Sequence, residues 1–381
     1  MAGAKKPLFI LPNLTGGGAE RATLQLLGRL CARGFDPTLL LIRREGALLK
    51  QVPRELRMLC VMEADAKFYW HASGLMRRLL ALARESDIIV GALELEPCYF
   101  AWLAGRMTRR PVVGWIHAVM SEYLGELSSV HSAIARQIYP RMDKLVFPSN
   151  ASADSLASLM KLDRARIAVI PSHLDPGHLQ ALAAEPLPKW AAEIFRKPTI
   201  ISLGRLVSSK GFDVLLRAHA RLRHSGTDYN LLILGEGPMR RELESLADRL
   251  GLRGSLFMPG FIENPYPLMK AAQVFVMASH FESMGMALLE AMALGCAIVA
   301  TDSPGGTREA LQGGRETESC GESRGWLVPV NDEVALADGI ARLSGDDALR
   351  ESLQASASLR ARDFSAENII PQWERLLIEV S

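Results

Sequence analysis

The sequence predicts a chain of two α/β domains, each built on a doubly wound parallel sheet. Three observations carry this. Short apolar runs, many of them near-continuous Val, Ile and Leu, alternate with longer helical patterns, as expected of parallel strands buried on both faces. A length of 381 residues suits two domains of roughly 100–200 residues each. The alternation is interrupted once, from Ser172 to Pro198, by a segment with four prolines and no strand pattern.

In the first half, strands are expected within residues 7–13, 37–43, 87–93, 111–117, 144–150 and 166–172. In the second they fall within 198–205, 229–237, 255–260, 273–279, 297–303 and 325–330. Residues 19–34 read as a helix stopped by Gly34, and 214–226 and 239–252 are also helical. The expected division is an N-terminal domain over 1–170 and a C-terminal domain over 171–365. A last helix, 366–381, is expected to pack back on the first. Residues 312–324 are polar and Gly-rich and read as a flexible loop.

Composition narrows the class. Hydrophobic residues make up 49% and charged residues 23%, ordinary for a globular protein, and a formal charge of +2 gives no sign of a nucleic-acid partner. Arg77, Arg78, Arg106, Arg109, Arg110, Arg136, Arg141 and Lys144 concentrate base in the first half; they read as a face for anionic lipid or as solvated helix surfaces. Five cysteines at 31, 60, 98, 296 and 320 include no C-x-x-C pair, which argues against a disulfide framework and a structural zinc site and fits the cytoplasm. The apolar run after Lys6 ends at Pro12 and reads as a strand rather than a signal peptide. No run approaches the roughly 20 apolar residues of a membrane span, so membrane contact is expected to be peripheral.

In open parallel sheets, ligands bind outside the carboxyl ends of the strands and at helix N-termini. Four loops there carry suitable chemistry. Gly16-Gly17-Gly18 follows the first strand and opens a helix; it suits close approach to an anion, and reads equally as a tight turn. Its spacing is not G-x-G-x-x-G, which argues against a dinucleotide-dependent dehydrogenase. Arg205 and Lys210 bracket the loop after the 198–205 strand; two cations there suit a diphosphate, or are plain surface bases. Glu282 precedes, and Glu290 lies inside, an apolar helix expected to start near Ser283–Gly285 and to end at Gly295. A carboxylate inside MALLEAMAL is costly to bury without a partner, so Glu290 is a site candidate or a satisfied core acid. His117, with Glu94 and Glu96, falls at strand ends of the first half, where a structural histidine and solvated loop acids are the simpler reading. No D-x-D motif and no ligand-spaced His/Cys/Asp cluster occurs.

Glu282-x₇-Glu290 within HFESMGMALLEAMALGCAIVATDSPGG, together with GGGAER, ISLGRLVSSKGFD, LLILGEGP, MPGF and GWLVPVND, resembles the retaining glycosyltransferases of family 4 along nearly the whole chain. The resemblance implies a GT-B fold, two Rossmann-like domains facing each other across a cleft. It implies a retaining, metal-independent hexosyltransferase without cofactor, using a nucleotide diphosphate-sugar, with a UDP-sugar expected ahead of a GDP-sugar. The acceptor is expected to be a glycan or lipid-linked saccharide in cell-surface polysaccharide synthesis, at the first domain, with peripheral contact to an anionic membrane. Glu290 would hold the ribose. Glu282 would hold the donor sugar, helped by Ser283, Met284, Gly285 and Met286. Arg205 and Lys210 would hold the diphosphate, approached by Gly16 and Gly17; His117 would lie beside the sugar, and Gly260, Phe261 and Ile262 would seat the base. Ser283 and Met284 stand where the family commonly has Gly and Phe, so the sugar pocket departs from the common one. Alternatives are a sugar-nucleotide epimerase on the same fold and a non-catalytic binding protein.

Overall fold

The computed structural model describes residues 4–15, 17–63, 68–122, 129–312 and 324–381. The chain forms two compact units, Met1–His173 with Ala366–Ser381, and Leu174–Ser365.

Unit 1 holds a seven-stranded sheet of β1 (Pro7–Leu11), β2 (Thr38–Arg44), β3 (Arg57–Glu63), β4 (Ile88–Gly91), β5 (Val112–Trp115), β6 (Lys144–Phe147) and β7 (Ile167–Val169), in the order β3-β2-β1-β4-β5-β6-β7. Every pairing is parallel, for example Phe9 opposite Leu39 and Val90. Alternate residues of β1 serve opposite layers: Leu8 and Ile10 pack with one core, Phe9 and Leu11 with the other. Helix α1 (Gly18–Ala32) crosses from β1 to β2 and ends as the sequence implies, with Gly34 at φ 85°. The strand β3 is an addition to the sequence reading. RMLCVME lacks a Val/Ile run and is bounded by charges, because it lies at the sheet edge, paired only to β2 and largely half-buried.

The last helix, α14 (Ala366–Val380), joins this unit. Its Ile369, Ile370, Trp373, Leu376 and Leu377 complete the core that holds Phe9 and Leu11. The Trp373 ring meets Trp115 at 4.5 Å between centroids and 60°, and Arg33 pairs with Glu374 at 3.1 Å.

Unit 2 holds six parallel strands, β8 (Thr199–Leu203), β9 (Asn230–Leu234), β10 (Leu256–Gly260), β11 (Val274–Met277), β12 (Ile298–Thr301) and β13 (Trp326–Val328), in the order β10-β9-β8-β11-β12-β13. One face is covered by α7 (Phe212–His224), whose Leu215, Leu216 and Leu222 are buried. The other carries α10 (Met286–Leu294), closed at its end by Gly295 at φ 72°. Seven of the nine residues of α10 are buried, which explains its apolar sequence. The Pro-rich segment contributes α6 (Pro176–Ala183), capped by the Asp175 carboxylate accepting from His178 N. Gln180 Nε2 donates to Ala293 O at 2.8 Å, so α6 is tied to the end of α10.

Candidate active site

In unit 2 the strand order reverses between β8 and β11. The loops leaving the carboxyl ends of those two strands therefore diverge, and this is where an open parallel sheet forms a ligand crevice. The loop after β8 carries Arg205 and Lys210; the loop after β11 carries Glu282. Lys210 Nζ and Glu282 Oε2 form an ion pair between residues 72 apart in sequence. The carboxylate is largely enclosed, and the Ser279 hydroxyl also donates to it at 3.5 Å. Ser279 is buried and its carbonyl accepts from Thr301 Oγ1 at 2.6 Å.

The approach of the two loops depends on Gly211. It has φ 59°, and a Cβ there would lie 2.0 Å from Ala278 O, at the end of β11. The main chain of Glu282 is held from both sides, its N–H donating to Pro304 O at 3.0 Å and its carbonyl accepting from Gly306 N at 2.9 Å. Arg205 is exposed, and its guanidinium makes no ion pair among the described residues.

Gly285 caps α10 with φ 72°, and its carbonyl accepts from Leu288 N at 2.9 Å. Glu290 lies one turn further along that helix and is 6% exposed. It accepts from the Tyr266 hydroxyl at 3.1 Å. Tyr266 opens α9 (Tyr266–Ala271) and is a functional candidate that the sequence reading missed. Ser283 and Met284 are buried, and Met284 packs in the core with Leu288 and Leu289. Met286 is half-buried against that core. Gly260 ends β10, Phe261 is 58% exposed and Ile262 packs at the core edge.

Unit 1 has its own reversal, between β1 and β4. Gly17 is the N-cap of α1 with an extended backbone, and Glu20 in the first turn is buried. Gly16 and most of the 312–324 loop lie outside the described residues, as does Cys320. Glu94, leaving β4, accepts from the His117 main-chain N–H at 3.1 Å. Burial raises the Glu94 carboxyl pKa; N–H donors of the chain, including those of His117 and Ala118, oppose this, and Glu20 adds to it. The residue that follows, Leu95, is forced to φ 61° while its N–H donates to the Tyr139 hydroxyl at 3.0 Å. A positive φ at a branched residue is strained.

The His117 ring stacks obliquely on Trp115 at 4.3 Å. Burial lowers its pKa from 6.5 to about 3, against a hydrogen bond to the Ala92 main chain. The imidazole is thus neutral, with one ring nitrogen donating to that carbonyl. Its Nε2 is buried without a hydrogen-bond partner among the described residues. Glu96 starts α3 (Glu96–Thr108) and is exposed. The unit 1 candidates Gly17 and His117 and the unit 2 candidates belong to different units.

Several of the bases singled out in the sequence are engaged locally: Arg78 with Cys60 O, Arg110 with Arg84 O and Lys144 with Ala165 O. Arg106 and Arg109, at the end of α3, are exposed beside Met107, itself 57% exposed. Among the described residues, no group of three or more His, Cys, Asp or Glu side chains is placed to hold a metal ion, and no helix is long and apolar enough to cross a membrane.

Residues 16–178 match the family model described as "Glycosyltransferase Family 4", and residues 189–360 match "Glycosyl transferases group 1". The chain is 31% identical over 242 residues to N-acetylgalactosamine-N,N'-diacetylbacillosaminyl-diphospho-undecaprenol 4-alpha-N-acetylgalactosaminyltransferase of Campylobacter jejuni, covering 64% of this chain and 62% of that relative's length. It is 22% identical to the GalNAc-alpha-(1->4)-GalNAc-alpha-(1->3)-diNAcBac-PP-undecaprenol alpha-1,4-N-acetyl-D-galactosaminyltransferase of the same organism, over 98% of both chains. Among solved structures, Anabaena Alr3699/HepE in complex with UDP and glucose superimposes with a TM-score of 0.82 at 20% identity, over 98% of this chain and 100% of that one.

Proposed function

The chain belongs to the GT-B glycosyltransferases of the family 4 type, and from that premise we propose that it moves a hexose-type sugar from a UDP-sugar to a lipid-linked saccharide, with retention of anomeric configuration. The observation that carries the donor site is the meeting of Lys210 and Glu282 where the unit 2 sheet reverses. A cation for the leaving diphosphate and a carboxylate for sugar hydroxyls stand side by side there. Glu290, fixed by Tyr266, accepts from ribose hydroxyls. Arg205, without an ion-pair partner among the described residues, adds a bidentate grip on phosphate.

In this reading the diphosphate departs as the acceptor hydroxyl attacks from the same face, and the leaving phosphate takes the proton. The protein's part is positioning and electrostatic stabilisation. Arg205, Lys210 and the α10 N-terminus offset the developing charge, the role a metal ion has in other sugar transferases. The acceptor binds unit 1, and the product is a cell-surface glycan. Two similarities to enzymes named for undecaprenyl diphosphate saccharides support that acceptor class.

The test is calorimetry with UDP, GDP, ADP and CDP on the wild type and Glu290→Ala. Binding of UDP without added metal, weakened roughly tenfold or more in the variant, is expected. A folded protein that binds none of the four rules the donor site out. Peripheral membrane contact, proposed for the exposed Arg106–Met107–Arg109 end of α3, is read by flotation with vesicles containing anionic lipid. Arg106→Glu with Arg109→Glu should weaken flotation, and absence of wild-type flotation rejects it.

A further inference from the structure

We infer that Glu282 is the residue through which this site tells a nucleoside diphosphate-sugar from the bare nucleoside diphosphate, because the donor exchanges Lys210 for sugar hydroxyls at its carboxylate. This rests on the donor-site reading above and adds to it the order of preference between substrate and product.

Three observations favour the exchange. First, Lys210 is already committed: its ammonium is paired with Glu282. A diphosphate that takes Lys210 competes with that carboxylate for it. Second, the two partners differ in mobility. Lys210 ends a flexible four-carbon stem and is 29% exposed at its side chain, whereas Glu282 is 14% exposed. The Glu282 main chain is fixed by Pro304 and Gly306, so the lysine leaves and the carboxylate stays. Third, the polar contact that remains at the carboxylate among the described residues is the 3.5 Å hydroxyl of Ser279. An enclosed carboxylate that loses its cation is strongly destabilised unless other donors replace it.

A UDP-sugar brings those donors, since sugar hydroxyls can give their protons to the vacated carboxylate. Free UDP brings charge for Lys210 and nothing for Glu282. Product is therefore held less tightly than its diphosphate alone would suggest, and donor is favoured over product. This assists turnover, because a site built to grip a diphosphate is otherwise inhibited by the diphosphate it releases.

Neutralising the carboxylate should reverse this. Calorimetry would compare UDP, UDP-glucose and UDP-N-acetylgalactosamine on wild type, Glu282→Gln, Lys210→Ala and the double variant. Glu282→Gln is expected to bind UDP roughly 3–10-fold tighter, the range of a partly enclosed ion pair. Neither UDP-sugar should gain as much, so the preference for donor over product narrows. On the Lys210→Ala background, Glu282→Gln should leave UDP affinity within about twofold. Equal or weaker UDP binding by a folded Glu282→Gln, with UDP bound by the wild type, overturns the exchange alone. No UDP binding by the wild type overturns the donor-site reading and the exchange with it.

Discussion

The Tyr266 hydroxyl donates to Glu290 Oε1 at 3.1 Å, and both residues are buried. A tyrosine at the start of one helix thus fixes a carboxylate in the middle of another, 24 residues later in sequence. If Glu290 holds the ribose, Tyr266 acts on the nucleoside through it. Tyr266→Phe removes a hydrogen bond to a charged group, about 1.5–3 kcal/mol in general. Because Tyr266 reaches the nucleoside only through Glu290, part of that energy is felt by the ligand: UDP affinity should fall roughly three- to tenfold, less than for Glu290→Ala, and calorimetry distinguishes the two. An unchanged affinity in Tyr266→Phe would leave the tyrosine with a packing role only.

Trp373 closes unit 1. It is fully buried, and its ring meets Trp115 edge to face. Replacing a buried tryptophan by alanine removes its transfer energy and leaves a cavity, together about 3–5 kcal/mol. Trp373→Ala should lower the unfolding transition of unit 1 by on the order of 10 °C. The transition of unit 2, which shares no core with this residue, should move little. Scanning calorimetry reads both. Equal displacement of the two transitions would mean that the units unfold as one.

Much of this fold was legible in the sequence for a specific reason. Strands buried on both faces, such as Leu8–Leu11 and Val274–Met277, must be continuously apolar and so announce themselves. The edge strand β3 is not under that constraint, and RMLCVME passes for a loop. In the site, Glu290 was conspicuous as a charge within an apolar helix. Its partner Tyr266 was not, because a hydrogen bond between separate helices leaves no local pattern. Nor did the sequence convey that Lys210 and Glu282 pair, since that depends on the β8–β11 adjacency. Glu94 looked like a solvated loop acid. Only the fold brings the His117 main chain to it and sets Leu95 at a positive φ.

The diphosphate is proposed to be neutralised by Arg205, Lys210 and helix N–H groups. Transfer should then persist after EDTA treatment within about twofold, while Arg205→Ala should lower kcat/KM by roughly 100-fold or more, as for loss of a charged transition-state contact. Activity abolished by EDTA and restored by a divalent ion would reject the metal-independent reading. Retention is read separately, from the anomeric signal of the product by NMR.

Two histidines give the two units a common response to acid. Burial lowers the pKa of His117 from 6.5 to about 3 in unit 1, and that of His219 from 6.5 to about 4 in unit 2, where Arg223 adds to the effect. Each stays neutral in the folded state over a range in which the unfolded chain is protonated. Between pH 6.5 and about 3 or 4 the unfolded state therefore binds more protons, and stability falls as pH falls, by about 1.4 kcal/mol per pH unit for each histidine. Glu94 acts in the opposite sense. Its raised pKa keeps a proton on the folded carboxyl above the usual 4.5, so its contribution is lost as pH rises through the folded value. His117→Gln should flatten the acid slope of unit 1 and leave that of unit 2, and unfolding scans from about pH 4 to 7 test this directly. A slope in unit 1 that survives the substitution would assign it to other groups.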